Sequence, residues 1–323
     1  MTAPMTAERL TLEVTDIRAE ARDVVSVELR AKGGGELPPF EPGAHLEIQL
    51  PNGLVRHYSL TNDWRERDRY VVGVGRDAAS RGGSVWIHQS LRRGTMLVCS
   101  TPRNNFRLDP QAGSFLFVAG GIGITPILAM VRRCAAEGRP WRLVYAARSA
   151  QRAAFAEALR ALGPERVHLH FDDERGAVLD TAPLLAAVAD GEHVYCCGPQ
   201  PLMDAVRRHA QALPADRLHF EYFTAPPTDA AAAPAGSFEV ELRSTGRRYP
   251  VPADRSILEV LEDAGLSLPF SCREGLCGTC LTGVCDGEPE HRDYVLTQAE
   301  RDAGKSMTIC VSRARSARLV LDL

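Results

Sequence analysis

Apolar and polar residues alternate in short runs over the first hundred positions. Residues 10–14, 24–29, 45–50, 57–60 and 70–74 each read as a β-strand with one buried face. Breakers separate them: Gly33-Gly34-Gly35, Pro38-Pro39 and Pro51-Asn52-Gly53, the last a hairpin signal. Short antiparallel strands without intervening helices predict a small barrel. From Ser114 the period changes. An apolar strand at 114–119 precedes an amphipathic helix at 125–137. Strands at 142–146, 167–171 and 193–196 then alternate with helical stretches at 153–162 and 184–188. Such alternation predicts a parallel sheet that presents ligands at its strand C-termini. After Thr224 the pattern lapses into an Ala- and Pro-bearing stretch that reads as a linker up to Gly236. A hairpin, Phe238–Leu242 with Arg248–Val251, and a short helix follow; the helix opens on the capping box Ser256-Ile257-Leu258-Glu259 and ends at Gly265. The expected architecture is multidomain: an antiparallel β-barrel over 1–110, an α/β parallel-sheet domain over 111–225, a linker at 226–236 and an α+β domain over 237–323.

Composition excludes more than it selects. The 323 residues are 45% hydrophobic and 24% charged, as in an ordinary globular protein. A formal net charge of −3 builds no field for nucleic acid or an anionic membrane. No apolar run approaches the ~20 residues of a spanning helix. The start, Met1-Thr2-Ala3-Pro4-Met5-Thr6, lacks the basic and apolar segments of a signal peptide. A reduced, cytoplasmic setting is therefore expected.

Cysteine spacing changes the picture. Cys272, Cys277 and Cys280 form C-x4-C-x2-C, and Cys310 follows at a distance. That is the spacing of a plant-type [2Fe–2S] cluster, a one-electron carrier with a potential of roughly −400 mV. Structural zinc favours two short knuckles, and here there is one C-x2-C with no His at finger spacing. A redox-active Cys277/Cys280 pair would need a βαβ setting, which the surroundings do not supply. The other five cysteines, Cys99, Cys134, Cys196, Cys197 and Cys285, read by default as small buried apolar residues, with Cys197 set apart by its position.

Three further motifs offer ligand chemistry. Gly120-Gly121-Ile122-Gly123-Ile124-Thr125-Pro126 joins a strand to a helix whose N-terminus attracts phosphate, although such a turn also serves tight packing. Tyr195-Cys196-Cys197-Gly198-Pro199 ends the last expected parallel strand, where a thiol can border a bound ring or simply fill the core. In Arg56-His57-Tyr58-Ser59, alternation sends Arg56 and Tyr58 to one face and His57 and Ser59 to the other. Arginine can grip phosphate and tyrosine can cover a planar cofactor. Arg81-Gly82-Gly83-Ser84, before a short helical stretch at 85–91, is a second candidate phosphate cradle.

R-x-Y-S, G-G-x-G-x-T-P, C-G-P and the ferredoxin motif, in that order over essentially the whole length, resemble the ferredoxin-NADP⁺ reductase superfamily. Within it they are similar to the phthalate dioxygenase reductase and vanillate O-demethylase reductase family. The resemblance implies a flavin-binding barrel, an NAD(P)-binding domain and a β-grasp ferredoxin domain. It implies a flavin site of Arg56, His57, Tyr58, Ser59, Gly73, Val74, Gly75, Gly82, Gly83, Ser84, Thr125 and Phe223. The nicotinamide nucleotide would meet Gly120, Gly121, Gly123, Cys197, Gly198 and Pro199, and the iron ligands would be Cys272, Cys277, Cys280 and Cys310. No acid–base catalytic residue is expected, because the cofactors carry the chemistry.

FMN is expected, with FAD as the alternative. Arg148-Ser149, after the second parallel strand, suits the 2′-phosphate of NADPH, whereas the family favours NADH; NADH is the expectation. The implied activity is the electron-transfer reductase of a multicomponent aromatic, Rieske-type oxygenase or O-demethylase. The expected form is a monomer that docks the terminal oxygenase transiently at the cluster loop, with Glu288, Glu290 and Asp293 as candidate steering charges. Service to a cytochrome P450 or a diiron hydroxylase is a second reading. A zinc-stabilised, non-enzymatic binding module is a third.

Overall fold

β-branched and aliphatic residues on alternate positions fold the first segment into a six-stranded antiparallel sheet. Its strands are β1 (Arg9–Ala21), β2 (Val24–Ala31), β3 (His45–Gln49), β4 (Val55–Ser59), β5 (Tyr70–Gly75) and β6 (Met96–Ser100), with α1 (Gly83–Ser90) between the last two. In this computed structural model residues 9–77, 80–226 and 236–323 are described, and the chain divides into two units, Met1–Glu221 and Tyr222–Leu323. The strand order is β4-β3-β6-β1-β2-β5, and a bridge between Leu60 and Val72 brings the two edges together as a barrel. Leu12, Val14, Leu29, Leu46, Leu60, Val72 and Val74 fill its core. β1 runs well past the expected 10–14, because register shifts between Val14 and Asp16 and between Ala19 and Ala21 break its alternation.

The same unit continues into five parallel strands: β7 (Ser114–Gly120), β8 (Trp141–Ala147), β9 (Val167–Phe171), β10 (Glu192–Cys197) and β11 (Leu218–Glu221). Between them lie α2 (Ile124–Glu137), α3 (Ala156–Leu162), α4 (Asp172–Arg175), α5 (Ala182–Ala186) and α6 (Gln200–His209). The order β11-β10-β7-β8-β9 reverses direction between β7 and β10, and doubly wound sheets bind ligands at that reversal. α2 buries Ile127, Leu128, Met130, Val131 and Cys134 against the sheet and stops at Gly138, whose φ of 67° closes the helix.

The second unit holds β12 (Phe238–Leu242), β13 (Arg248–Val251), α7 (Ile257–Asp263), β14 (Leu281–Asp286), β15 (Pro289–Glu290), α8 (Gln298–Ala303), β16 (Ser306–Thr308), β17 (Arg313–Ala314) and β18 (Arg318–Leu321). Its main sheet runs β13-β12-β18-β14-β16, with β12 and β18 parallel, and α7 packs Ile257, Leu258 and Leu261 into the core. The expected capping box is present: Glu259 N donates to Ser256 Oγ at 3.2 Å, and Ser256 N donates to Glu259 Oε2 at 2.8 Å. The expected linker lies, at 227–235, outside the described residues. No helix among the described residues is long and apolar enough to cross a membrane.

Candidate functional site

Glycine positions fix the reversal point of the parallel sheet. β7 ends at Gly120, beside the end of β10, with Ala119 in register with Cys197. A Cβ on Gly123 would stand 2.2 Å from the Cys197 carbonyl oxygen, and one on Gly120 would stand 2.6 Å from Pro199 Cδ. One on Gly198 would come within 3.0 Å of Gly120 Cα. The two loops therefore interlock backbone to backbone, which only glycine allows. Gly121 differs: its φ is 53°, its Cβ direction is open, and Tyr145 Oη donates to its carbonyl at 3.1 Å. Packing and an open approach for a ligand thus fall to different glycines of one turn. Thr125 is committed to packing. It is buried, its Oγ1 donates to Ile122 O at 3.0 Å, and its methyl faces Gly73.

On the barrel, Arg56 lies across the start of α1. Its Nη2 donates to Arg81 O at 2.9 Å, and a Cβ on Gly83 would stand 2.5 Å from its Nε. Gly82, with φ of 88°, turns the chain into α1, while Ser84 Oγ accepts from Asp77 N at 3.3 Å. A guanidinium over unpaired helix N-terminal amides is a phosphate cradle, so the residues fit a flavin phosphate. Tyr58 is half-buried against the barrel core, and burial pushes its phenol up to about 12. His57 turns to the opposite face, where its Nε2 lies 3.6 Å from Glu47 Oε2 in a group shared with Arg9 and Arg103. Gly73 and Gly75 face Thr125 and Ile122, where they let β5 approach the glycine turn, and Val74 is in the barrel core.

One residue of this region was missed in the sequence. Glu221, at the end of β11, is in register with Cys197 of β10. Its Oε2 is buried with no hydrogen-bond partner, although the residue as a whole keeps some exposure. Burial pushes its carboxyl up to about 8, opposed by the Ser59 hydroxyl. Burial, with the Glu221 charge behind it, raises the Cys197 thiol well above its ordinary value. A carboxyl, a thiol and a hydroxyl from three separate strands therefore form one small polar group. Phe223, two residues on, is 45% exposed.

Arg148 is exposed just after β8. Its carbonyl accepts from Asp173 N at 3.2 Å, which sets the acidic first turn of α4, Asp172, Asp173 and Glu174, beside it.

In the second unit the cysteine loop is wound by left-handed residues: Arg273 (φ 57°), Gly275 (φ 70°) and Gly278 (φ 69°). A Cβ on Gly275 would strike Val311 Cγ2 at 2.7 Å. The Glu274 and Leu276 amides donate to Cys272 Sγ at 3.3 and 3.4 Å, and Thr279 Oγ1 lies 3.2 Å from Cys277 Sγ. The thiols pair two by two, Cys272 with Cys277 and Cys280 with Cys310. Three thiols of one short loop and a fourth from a distant segment would together hold a [2Fe–2S] cluster. The donor set fits the cluster. Cys285, expected to be buried, is exposed on β14.

The candidate steering acids do not stand free. Asp293 is 2% exposed and accepts from the Val295 and Leu296 amides, Glu288 pairs with Arg315, and Glu290 pairs with Arg292.

Residues 240–315 match the 2Fe-2S iron-sulfur cluster binding domain family, and residues 97–218 match the N-terminal domain of the dimethylamine monooxygenase subunit DmmA-like family. The chain is 47% identical to a vanillate O-demethylase oxidoreductase of Pseudomonas sp. (strain HR199 / DSM 7063), over 96% of this chain and 98% of the relative. It is 45% identical to a solved phthalate dioxygenase reductase, described as a modular structure for electron transfer from pyridine nucleotides to [2Fe-2S]. That likeness covers 98% of both chains with a TM-score of 0.70. An intact type IV self-sufficient cytochrome P450 monooxygenase matches 98% of this chain at 39% identity and a TM-score of 0.93; this chain spans 41% of its length.

Proposed function

The chain belongs to the family of phthalate dioxygenase reductase and vanillate O-demethylase oxidoreductase, and from that premise we propose that it passes electrons from NADH through FMN to a [2Fe–2S] cluster and on to the oxygenase of an aromatic, Rieske-type oxygenase or O-demethylase system. It is an oxidoreductase with a C-terminal [2Fe–2S] domain. The observation that carries the reading is the Arg56 phosphate cradle and the open Gly121 turn in one unit, with the two-by-two thiol pairs in the other.

Bound flavin supplies the change from two-electron to one-electron transfer. The protein's own residues hold and orient the partners. Arg56 with the amides of Gly83 and Ser84 grips the flavin phosphate; a terminal phosphate suits this single cradle, which favours FMN over FAD. Tyr58 offers its ring to the isoalloxazine. Gly121 and the α2 N-terminus receive the nucleotide diphosphate, with Gly120, Gly123, Gly198 and Pro199 setting the floor. Cys197 borders the nicotinamide as a neutral thiol. Glu221, protonated at neutral pH, holds a proton beside Ser59 within the same site. Gly73, Val74, Gly75 and Thr125 act as the wall joining barrel to sheet rather than through side-chain contacts to flavin.

For the nucleotide, the acidic turn beside Arg148-Ser149 favours NADH, because carboxylates pair with a ribose hydroxyl and repel a 2′-phosphate. The expected result is a kcat/KM for NADH that exceeds that for NADPH by about tenfold or more. Asp173→Arg should narrow that ratio, chiefly through KM for NADPH. A wild-type preference for NADPH that Arg148→Ala abolishes would overturn the choice. The self-sufficient P450 likeness supports a second reading, in which the electron acceptor is a haem monooxygenase.

A further inference from the structure

The second unit exposes three large apolar residues among those described, Phe223, Phe270 and Leu281, and two of them adjoin cluster ligands. Phe270 lies two residues before Cys272, and Leu281 directly follows Cys280. Of the four ligand cysteines only Cys272 is not buried. The ligand thiol most open to solvent is therefore the one next to Phe270 in the chain. An exposed phenylalanine is ordinarily free to rotate, but this one is held. The Arg273 guanidinium stands 4.0 Å over its ring, and Arg273 is itself tied to Glu262 of α7 at 2.7 Å. Phe270 as a residue stays 40% exposed.

The surroundings are acidic. Residues 254–280 contain Asp254, Glu259, Glu262, Asp263 and Glu274 against Arg255 and Arg273, so five acids less two bases leave −3. Asp263 is 67% exposed and pairs with Arg255 at 2.6 Å. Glu288 and Glu290 are matched by Arg315 and Arg292, and Asp293 is buried. Asp263 and Glu262 are matched in turn by Arg255 and Arg273, but residues 254–280 keep their excess of three acids, so α7 and the cluster loop are the better source of a steering field.

Building on the reading of the chain as an electron-transfer reductase, we propose that Phe270, braced by Arg273, anchors the docking surface for the electron acceptor. That acceptor is a protein with an apolar recess rimmed by Lys and Arg. Each encounter moves one electron, so the cluster returns to its oxidised state as one acceptor iron goes from ferric to ferrous. Two encounters discharge the electron pair that oxidation of one NADH to NAD⁺ and a proton supplies.

Cytochrome c, a basic haem protein, is the probe. With the holoprotein and NADH, Phe270→Ala should lower kcat/KM for cytochrome c about tenfold through KM, and Phe270→Trp should restore most of it. Asp263→Lys should lower the rate at low salt and flatten its decline with ionic strength. Bleaching of the cluster by NADH, and reduction of ferricyanide, should match wild type in all three variants. If Phe270→Ala and Asp263→Lys both keep the wild-type cytochrome c kinetics and salt dependence while NADH still bleaches the cluster, the docking surface lies elsewhere. If NADH fails to bleach the wild-type cluster, the underlying reductase reading fails instead.

Discussion

Changing Cys277 to Ser should cut NADH-driven cytochrome c reduction by at least ~100-fold while NADH still reduces the flavin at close to the wild-type rate. Losing a group that merely hydrogen-bonds to a metal ligand already costs roughly 10–100-fold, and this substitution removes a ligand itself. Serine replaces a soft thiolate with a hard, weakly acidic hydroxyl that iron–sulfur chemistry disfavours. It also breaks the Cys272–Cys277 pair, so one of the four thiolates that would hold the cluster is lost. Arg56, Tyr58, Gly83 and Ser84 lie in the other unit, so hydride transfer has no reason to follow. The readout is stopped-flow absorbance of the flavin beside steady-state cytochrome c reduction. Survival of both rates would remove Cys277 from the electron path.

The second large effect lies at the reversal of the parallel sheet. Gly123→Ala would place a methyl carbon 2.2 Å from the Cys197 carbonyl oxygen, which is backbone and cannot swing away. Relief to ordinary contact needs a shift of more than about 1 Å between the turn after β7 and the end of β10. A misplacement of that size costs on the order of 100-fold in rate when it separates reacting partners. Hydride transfer from NADH should fall by about that factor, whereas reduction of the flavin by dithionite, which needs no nucleotide site, should be unchanged. Gly121→Ala makes the contrast. Its Cβ meets nothing, so only the left-handed backbone resists, at about 1 kcal/mol. If the two alanine variants lose hydride transfer equally, the interlock of Gly123 with Cys197 is not what positions the nucleotide.

Features set by local spacing were legible in the sequence. The cysteine loop was, because one cluster needs four thiolates from a single short segment and one distant strand. So were the Arg56/Tyr58 face, the glycine turn after an apolar strand and the capping box at Ser256. Features that arise only when distant strands meet were hidden. Glu221 ends a four-residue strand that carries no clear alternation, and its raised carboxyl pKa comes from burial that arises only once β11 lies beside β10, with the Ser59 hydroxyl opposing it. A cue was available in its place directly before the aromatic pair Tyr222-Phe223, at the end of a parallel strand. Charge was misleading for the same reason. Glu288, Glu290 and Asp293 look free in a string of residues, but the fold supplies Arg315, Arg292 and backbone amides to them. Gly73 and Gly75 sit on the right strand, yet their missing side chains make room for Ile122 and Thr125.

The central claim is that one chain takes an electron pair from NADH and stores one electron at Cys272, Cys277, Cys280 and Cys310. Anaerobic rapid mixing with one equivalent of NADH, followed by freeze-quench electron paramagnetic resonance, tests it most directly. The expected result is flavin bleaching followed by the spectrum of a singly reduced [2Fe–2S] cluster, integrating to about one spin per chain at most. Flavin reduction with no cluster signal, or protein that carries zinc in place of iron, would contradict it.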